Sequence, residues 1–304
     1  MRNKIIILYI LILIITGCKE SIKSDKNYLD KDYILLKDSV EREICIKKSP
    51  ERIISFAPNM TEIIFKLGGG KKLIGRTDFC DYPEDVKNIE TVGEIINPNI
   101  EKIIYLKPDL IIASTHFQKE TLIKLNKLNI KIYIGLIDNN YKKLYKTISD
   151  IGIIIDEVNK ANKLIEYMKN NINDIKNKVA GLKKPNVYYM LSFGEVGDFT
   201  AGRDTFISYL INISGGSNIA DEITGWNYSL ERLVQKNPDI IICSKRSYIK
   251  DRLKITPVYN ELKAVVNNNV YEIDANIIER IGPRNIEAIK LMSKIFHPDI
   301  IVDK

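Results

Sequence analysis

Two rhythms of apolar residues alternate along this chain. Short runs such as "RIISF" from Arg52, "LIIAS" from Leu110, "KIYIG" from Lys131, "NVYYM" from Asn186 and "IIICS" from Ile240 are almost continuously apolar. Apolar runs of about four to eight residues between turn signals read as strands covered on both faces. Between them lie "NMTEIIFKL", "NIEKIIYLK", "ETLIKLNKL", "TFISYLINI", "SLERLVQK" and "NIEAIKLMSKIF", with apolar residues three and four apart. That spacing makes one face of a helix. Strand and helix in alternation, before and after position 160, predict two doubly wound α/β lobes.

Residues 140–180 break the alternation. Ile148, Ile151, Ile155, Val158, Leu164, Met168, Ile172, Ile175 and Val179 hold helical spacing throughout. Gly152 is expected to separate two helices. The second, from Asp156 to Val179, would span about 36 Å at 1.5 Å per residue, enough to cross from one lobe to the other. It contains neither proline nor glycine, so a rigid rod is expected. The organisation that follows is an N-terminal lobe over 32–155, a joining helix over 156–180 and a C-terminal lobe over 181–304.

Local signals refine this picture. "YILLKDSVEREICIKK" predicts a hairpin ahead of the first lobe. In "NMTEIIFKLGGG" Asn59 is expected to cap a helix, with Glu62 in capping-box position and Gly68 to Gly70 as the stop. The glycines follow a helix and precede a strand, the reverse of a phosphate loop, and no Lys-Ser/Thr pair follows them. One unit occurs twice. "NIEKIIYLKPDLIIAS" from Asn99 returns 130 residues later as "SLERLVQKNPDIIICS". Each copy has a capping residue, an acid in the first turn (Glu101, Glu231), an apolar face, Pro-Asp and a buried strand. In the first copy Ile103, Ile104 and Leu106 are expected to point inward. An acid there also offsets the helix dipole, worth about 0.3–1 kcal/mol.

Composition removes several function classes. The net charge of +7 is spread over helix faces with no basic stripe interleaved with aromatics, which argues against nucleic acid. There are two histidines, His116 and His297, and no HExxH or GxSxG. Neither nucleophilic catalysis nor a bare transition-metal site has the residues it needs. No CxxC is present. Cys45, Cys80 and Cys243 form an odd set after Cys18, which allows one bridge and a free thiol, with Cys243 expected in the core. The start of the chain is separate from the fold. Arg2 and Lys4, an apolar run from Ile5 to Ile15 and small residues up to Cys18 make a secretory signal over 1–17. "ITGC" resembles a lipoprotein lipobox, which implies lipidation of Cys18. Residues 18–31 read as a polar tether. An extracytoplasmic protein anchored by lipid to a membrane is the expectation.

"RIISFAPNMTEIIF", "TDFCDYP", "VGEIINPNIEKIIYLKPDLII", "FTAGRDTFISYLINISGGSNIAD" and "ERIGPRNIEAI" together resemble the substrate-binding proteins of cobalamin and ferric-siderophore ABC importers. These are the type III periplasmic binding proteins. The resemblance runs from about Val40 to Phe296. It implies two α/β lobes joined by a rigid long helix, with ligand in the cleft between them, no catalytic residue, no resident cofactor or metal, and a monomer. It implies docking of Glu101 and Glu231 onto the two halves of a permease dimer that works with an ATPase. It places Phe79, Tyr82, Ile95, Asn97, Ser114 and His116 on the N-terminal side of the cleft. Phe199, Arg203, Trp226, Arg246, Arg280 and Arg284 stand on the other side. Trp226 is either a ligand wall or a cover for core. Arg280 and Arg284 are either clamps for an anionic ligand or structural ion pairs. The implied ligand is a metal chelate. Cobalamin is favoured on "TDFCDYP", although Ile95 and Ser114 stand where cobalamin binders carry aromatics. Ferric siderophore and haem are the alternatives, with Tyr82 or His116 as an axial ligand for haem. A surface adhesion lipoprotein or an extracytoplasmic enzyme is the remote alternative.

Overall fold

Strands β1 (Tyr33–Lys37) and β2 (Glu43–Lys47) form the expected hairpin at the start of the computed structural model, which describes residues 32–115, 118–135, 141–245 and 248–299. Ser39 donates its amide to the Ile134 carbonyl at 2.9 Å, and Arg42 reaches the Ile132 carbonyl at 3.1 Å. The hairpin therefore lies along an edge strand that would otherwise be an open template for pairing.

The next elements are β3 (Ile53–Ser55), α1 (Pro58–Lys66), β4 (Leu73–Arg76), α2 (Ile100–Leu106), β5 (Leu110–Ser114), α3 (Lys119–Lys127), β6 (Lys131–Gly135) and α4 (Tyr141–Ile154). Then comes α5 (Val158–Val179). The second half holds β7 (Asn186–Met190), α6 (Phe206–Ile213), β8 (Ser217–Asn218), α7 (Leu230–Lys236), β9 (Ile240–Ser244), α8 (Ile249–Ile255), α9 (Lys263–Val266), β10 (Val270–Ile273), α10 (Ala275–Ile278) and α11 (Asn285–Phe296). The two four-stranded sheets are parallel and have one topology: β4-β3-β5-β6 in the first and β8-β7-β9-β10 in the second. In each, the second strand sits on one side of the first, and the third and fourth sit on the other. The fold is thus two α/β lobes of the doubly wound kind.

Strand residues alternate faces, and the cores follow that period. Ile54, Ile111, Ala113, Ile132 and Ile134 face α2 and α3, while Ile53, Leu110, Ile112 and Tyr133 face the other way. The second sheet divides likewise, with Tyr188, Met190, Ile241 and Cys243 on its outer face and Val187, Tyr189, Ile240 and Ile242 on its inner face. The two inner faces belong to one continuous cluster that passes through α5. Ala161, Leu164, Met168, Ile172, Ile175 and Val179 line that helix at three- and four-residue steps, and all are buried. α5 packs on α4 of the first lobe and on α6 and α11 of the second. Cys45, Cys80 and Cys243 are free, and Cys243 is in the core as expected.

Pro-Asp has the same structural use in both copies of the repeat. α2 and α7 end on left-handed residues, Lys107 (φ 44°) and Asn237 (φ 40°), and the proline follows. Asp109 accepts the amides of Glu51 and Arg52 at 3.0 Å, and Asp239 accepts the amide of Asn186 at 2.9 Å. Each aspartate clips the start of its strand to the start of the neighbouring one. It satisfies amides that open the sheet and would otherwise be left without a partner.

Three expectations are corrected. The first helix begins at Pro58, whose fixed φ suits the first helical position, with Ala57 as the cap residue and no side-chain cap. Glu62 is therefore not a capping-box acid, and its carboxylate points elsewhere. Gly152 does not separate two helices. It lies inside α4, where an added Cβ would stand 2.5 Å from the Ala161 Cβ of α5, so glycine permits the close crossing. The break comes at Asp156, with φ 61°. Ile104 does not point inward. Ile103 supplies the buried position on α2, and its neighbour, a third of a turn round, is 45% exposed.

Candidate functional site

The C-terminal edges of parallel strands, where strand order reverses, are where α/β sheets receive ligands. In the first lobe that point lies between β3 and β5. A cavity of about 220 Å³ opens there. Ala57, Pro58 and Asn59 come from the end of β3 and the start of α1, and Ser114 and Thr115 from the end of β5. Ile95 closes a third side, and Glu279, Arg280 and Ile281 of the second lobe close the fourth. The cavity is consequently an inter-lobe cleft.

Charge in this cleft is already paired. Arg284 donates from Nε and Nη2 to the two oxygens of Glu62, at 2.9 and 2.6 Å, and the Glu62 side chain is 4% exposed. The guanidinium of Arg284 also lies over the Tyr82 ring, 3.9 Å from its centroid. Arg280 holds both carboxylate oxygens of Asp81, reaches the Phe79 carbonyl at 3.4 Å and stands 3.7 Å from Glu62. Asn59 donates to the Ile281 carbonyl at 3.4 Å. Glu279 accepts the Tyr189 hydroxyl at 2.9 Å. Burial by itself opposes the charge on Arg284, but Glu62 outweighs it and holds the guanidinium above its ordinary value. Two guanidiniums are thus matched by two carboxylates, Glu62 and Asp81, and Glu279 lines the cavity beside them.

The residues expected in the cleft are distributed as follows. Ile95, Ser114 and Arg280 line the cavity together. Tyr82 and Arg284 touch each other beside it, and Phe79 offers its carbonyl to Arg280 with its ring exposed. Asn97 is exposed on the loop before α2. Phe199 and Trp226 share a second locality: Phe199 pairs with Asn227, and Thr200 donates to the Trp226 carbonyl at 2.7 Å. The indole is 43% exposed. Arg203 is exposed and donates to the Glu222 carbonyl at 3.3 Å. Neither Phe199, Arg203 nor Trp226 lines the 220 Å³ cavity. His116, Arg246 and Cys18 lie outside the described residues. Sequence reasoning missed Asp81 and Glu62. The one available signal was a glutamate just ahead of the apolar run Ile63 to Phe65.

The duplicated acids occupy matching places. Asn99 caps α2 by accepting the Lys102 amide at 2.9 Å, and Ser229 caps α7 by accepting the Arg232 amide at 3.3 Å. Glu101 and Glu231 follow, both exposed. Each helix leads straight into the start of a strand, so its N-terminus lies toward the edge that carries the cleft. The cation next to each acid is taken by another carboxylate: Lys102 pairs with Glu90, and Arg232 stands 3.8 Å from Glu222. Neither Glu101 nor Glu231 has an ion-pair partner among the described residues. Its own amide and the Ser229 hydroxyl hold the Glu231 carboxyl below the usual carboxylate range.

Two lobes of one topology, a cleft at a strand switch point and a helix shared by both cores define a two-lobed ligand-binding protein. The model for the family described as "Periplasmic binding protein" matches residues 53–277, and the chain belongs to that family. It is 32% identical over 278 residues to an uncharacterized ABC transporter substrate-binding lipoprotein, YvrC, of Bacillus subtilis, covering 88% of this chain and 86% of that one. It is 30% identical over 255 residues to the vitamin B12-binding protein of Vibrio vulnificus, covering 81% and 90%. A solved structure of a possible iron-binding (periplasmic solute-binding) protein from Staphylococcus epidermidis superposes with a TM-score of 0.72 at 30% identity, covering 82% of this chain and 99% of that one. The protein is an ABC transporter substrate-binding protein of the type III architecture, and its relatives are transport components rather than enzymes.

Proposed function

We propose that this protein captures a corrinoid of the cobalamin class between its lobes and delivers it to a permease dimer driven by an ATPase. The observation that carries this choice of ligand is the pairing of both cleft arginines, Arg280 with Asp81 and Arg284 with Glu62. A clamp for haem propionates or an anionic siderophore needs free guanidinium groups. With both guanidiniums already paired and the Glu279 carboxylate also lining the cavity, the cleft favours a chelate that carries little negative charge. Ile95 supplies apolar surface inside the cavity, and Trp226, exposed outside it, offers an aromatic face that a broad ring reaching beyond the cavity would meet. Likeness to the vitamin B12-binding protein supports the same reading. A ferric chelate is the second reading, favoured by the likeness to the Staphylococcus structure.

Glu101 and Glu231 address the two permease halves, one acid to each, through cations on the permease. Their exposure, and their lack of an ion-pair partner among the described residues, support this role. The protein works outside the cytoplasm as a monomer, held to the membrane by lipid on Cys18. Changing Cys18 to Ser then yields unprocessed precursor or released protein, and a processed, membrane-bound variant would refute the anchor. The ligand is tested by Trp226 fluorescence with cobalamin, haem and several ferric siderophores. Stoichiometric quenching by cobalamin is expected. Tight binding of an anionic siderophore or haem with no response to cobalamin overturns the charge argument.

A further inference from the structure

The corrected position of Ile104 has a counterpart. On α2 the buried residue is Ile103 and on α7 it is Leu233, both fully inside. The next residue in each helix faces out: Ile104 is 45% exposed and Val234 is 44% exposed. The core needs neither of them. Each lies three residues after the exposed acid, Glu101 or Glu231, and side chains three apart are neighbours on a helix surface. Single exposed aliphatics are ordinary. A β-branched aliphatic in the same relation to a glutamate with no ion-pair partner among the described residues, on matching helices of both lobes, is a repeated surface.

We propose that Ile104 and Val234 are the apolar halves of two footprints through which the protein seats on its permease; this rests on the docking reading of Glu101 and Glu231. The charge argument identifies the partner. Among the described residues each carboxylate lacks a cation of its own, because Lys102 and Arg232 are engaged with Glu90 and Glu222. The surface therefore fits a partner that offers a cation beside an apolar patch, twice, as a dimeric permease does. An ion pair open to water contributes little, and one shielded from water on docking contributes far more. Ile104 and Val234 provide that shield. The footprints are not identical. Tyr105, 82% exposed, follows Ile104, whereas Gln235 follows Val234. The N-terminal footprint is the larger apolar one, so its loss is the more damaging.

The test uses the full chain and the permease–ATPase complex of its own transporter in nanodiscs. Affinity is measured for the parent, Ile104→Ser, Val234→Ser, the double Ser variant, Glu101→Ala and Glu231→Ala, at low and high salt. Cobalamin binding and thermal melting are followed alongside. Each Ser change is expected to weaken docking about tenfold, Ile104→Ser more than Val234→Ser, with ligand binding and melting unchanged. The Glu variants also lose docking, together with much of its salt dependence. If the Glu variants weaken docking and the Ser variants do not, the apolar half is wrong and the docking reading stands. If neither set changes docking, the docking reading itself falls, and this inference with it.

Discussion

Arg284 holds both carboxylate oxygens of Glu62 across a separation of 222 residues, and so ties the second lobe to the first helix of the other. Removing one partner of such a pair strands a buried charge, which costs about 3–5 kcal/mol. Arg284→Met is expected to lower unfolding free energy by that order in urea. Adding Glu62→Leu to it should restore much of the loss, because an apolar pair of similar volume is often neutral. Single changes within experimental error of the parent would show that the tie adds nothing.

Trp226 is the only tryptophan and stands 43% exposed on a loop that holds Phe199 beside it. If it walls the ligand, Trp226→Ala should weaken cobalamin binding by roughly 1–3 kcal/mol, the ordinary loss for an aromatic anchor. Calorimetry on the folded variant checks this. Unchanged affinity would make the indole a loop surface only.

Closure on binding is expected to be small. α5 carries no proline or glycine, and its buried stripe is packed on both lobes. Bending it would require a defect that the sequence does not supply. Scattering profiles with and without ligand should nearly superpose, and a large compaction would contradict the rod.

Asp239 gives a pH dependence with a definite sign. Burial raises its carboxyl, but Lys263 and the Asn186 amide outweigh burial and leave it below the usual range. A carboxyl held low when folded stabilises the protein at neutral pH. That contribution fades as pH falls below about 4 and through the lowered folded value. The pair with Lys263 is partly exposed, so about 1 kcal/mol is the expected size. Asp239→Asn should lose that much at pH 7 and show a shallower decline in acid. Equal losses at pH 7 and pH 3 would mean that the hydrogen bonds to the backbone, and not the charge, are what matter.

The fold was legible because it rests on local periods. "LIIAS" and "IIICS" could only be strands buried on both faces, and the α5 stripe announced itself by spacing. The doubled unit was visible in letters, down to its caps Asn99 and Ser229. The cleft was less so. Arg280 and Arg284 could be placed near it, yet their use depended on Asp81 and Glu62, about two hundred residues away, which no local pattern links to them. Glu62 was misread because a glutamate early in a helix usually serves that helix. Ile104 was misread because α2 buries only a narrow stripe through Ile103, whereas α1 buries the adjacent Ile63 and Ile64 together, and spacing alone does not tell the two cases apart.

The stripe on α5 belongs to neither lobe alone. Ile286, Ile289, Met292 and Phe296 of α11 join the same cluster, more than a hundred residues after α5 in the chain. A chain synthesised from its N-terminus has α1 and α4 over its first sheet early, but the part of the α5 stripe that meets α11 stays uncovered until α11 follows. Cutting the gene at the apparent waist would leave each fragment with an open apolar seam. The two sheets repeat one topology, yet they share one core, so neither half is a module that could be exchanged alone.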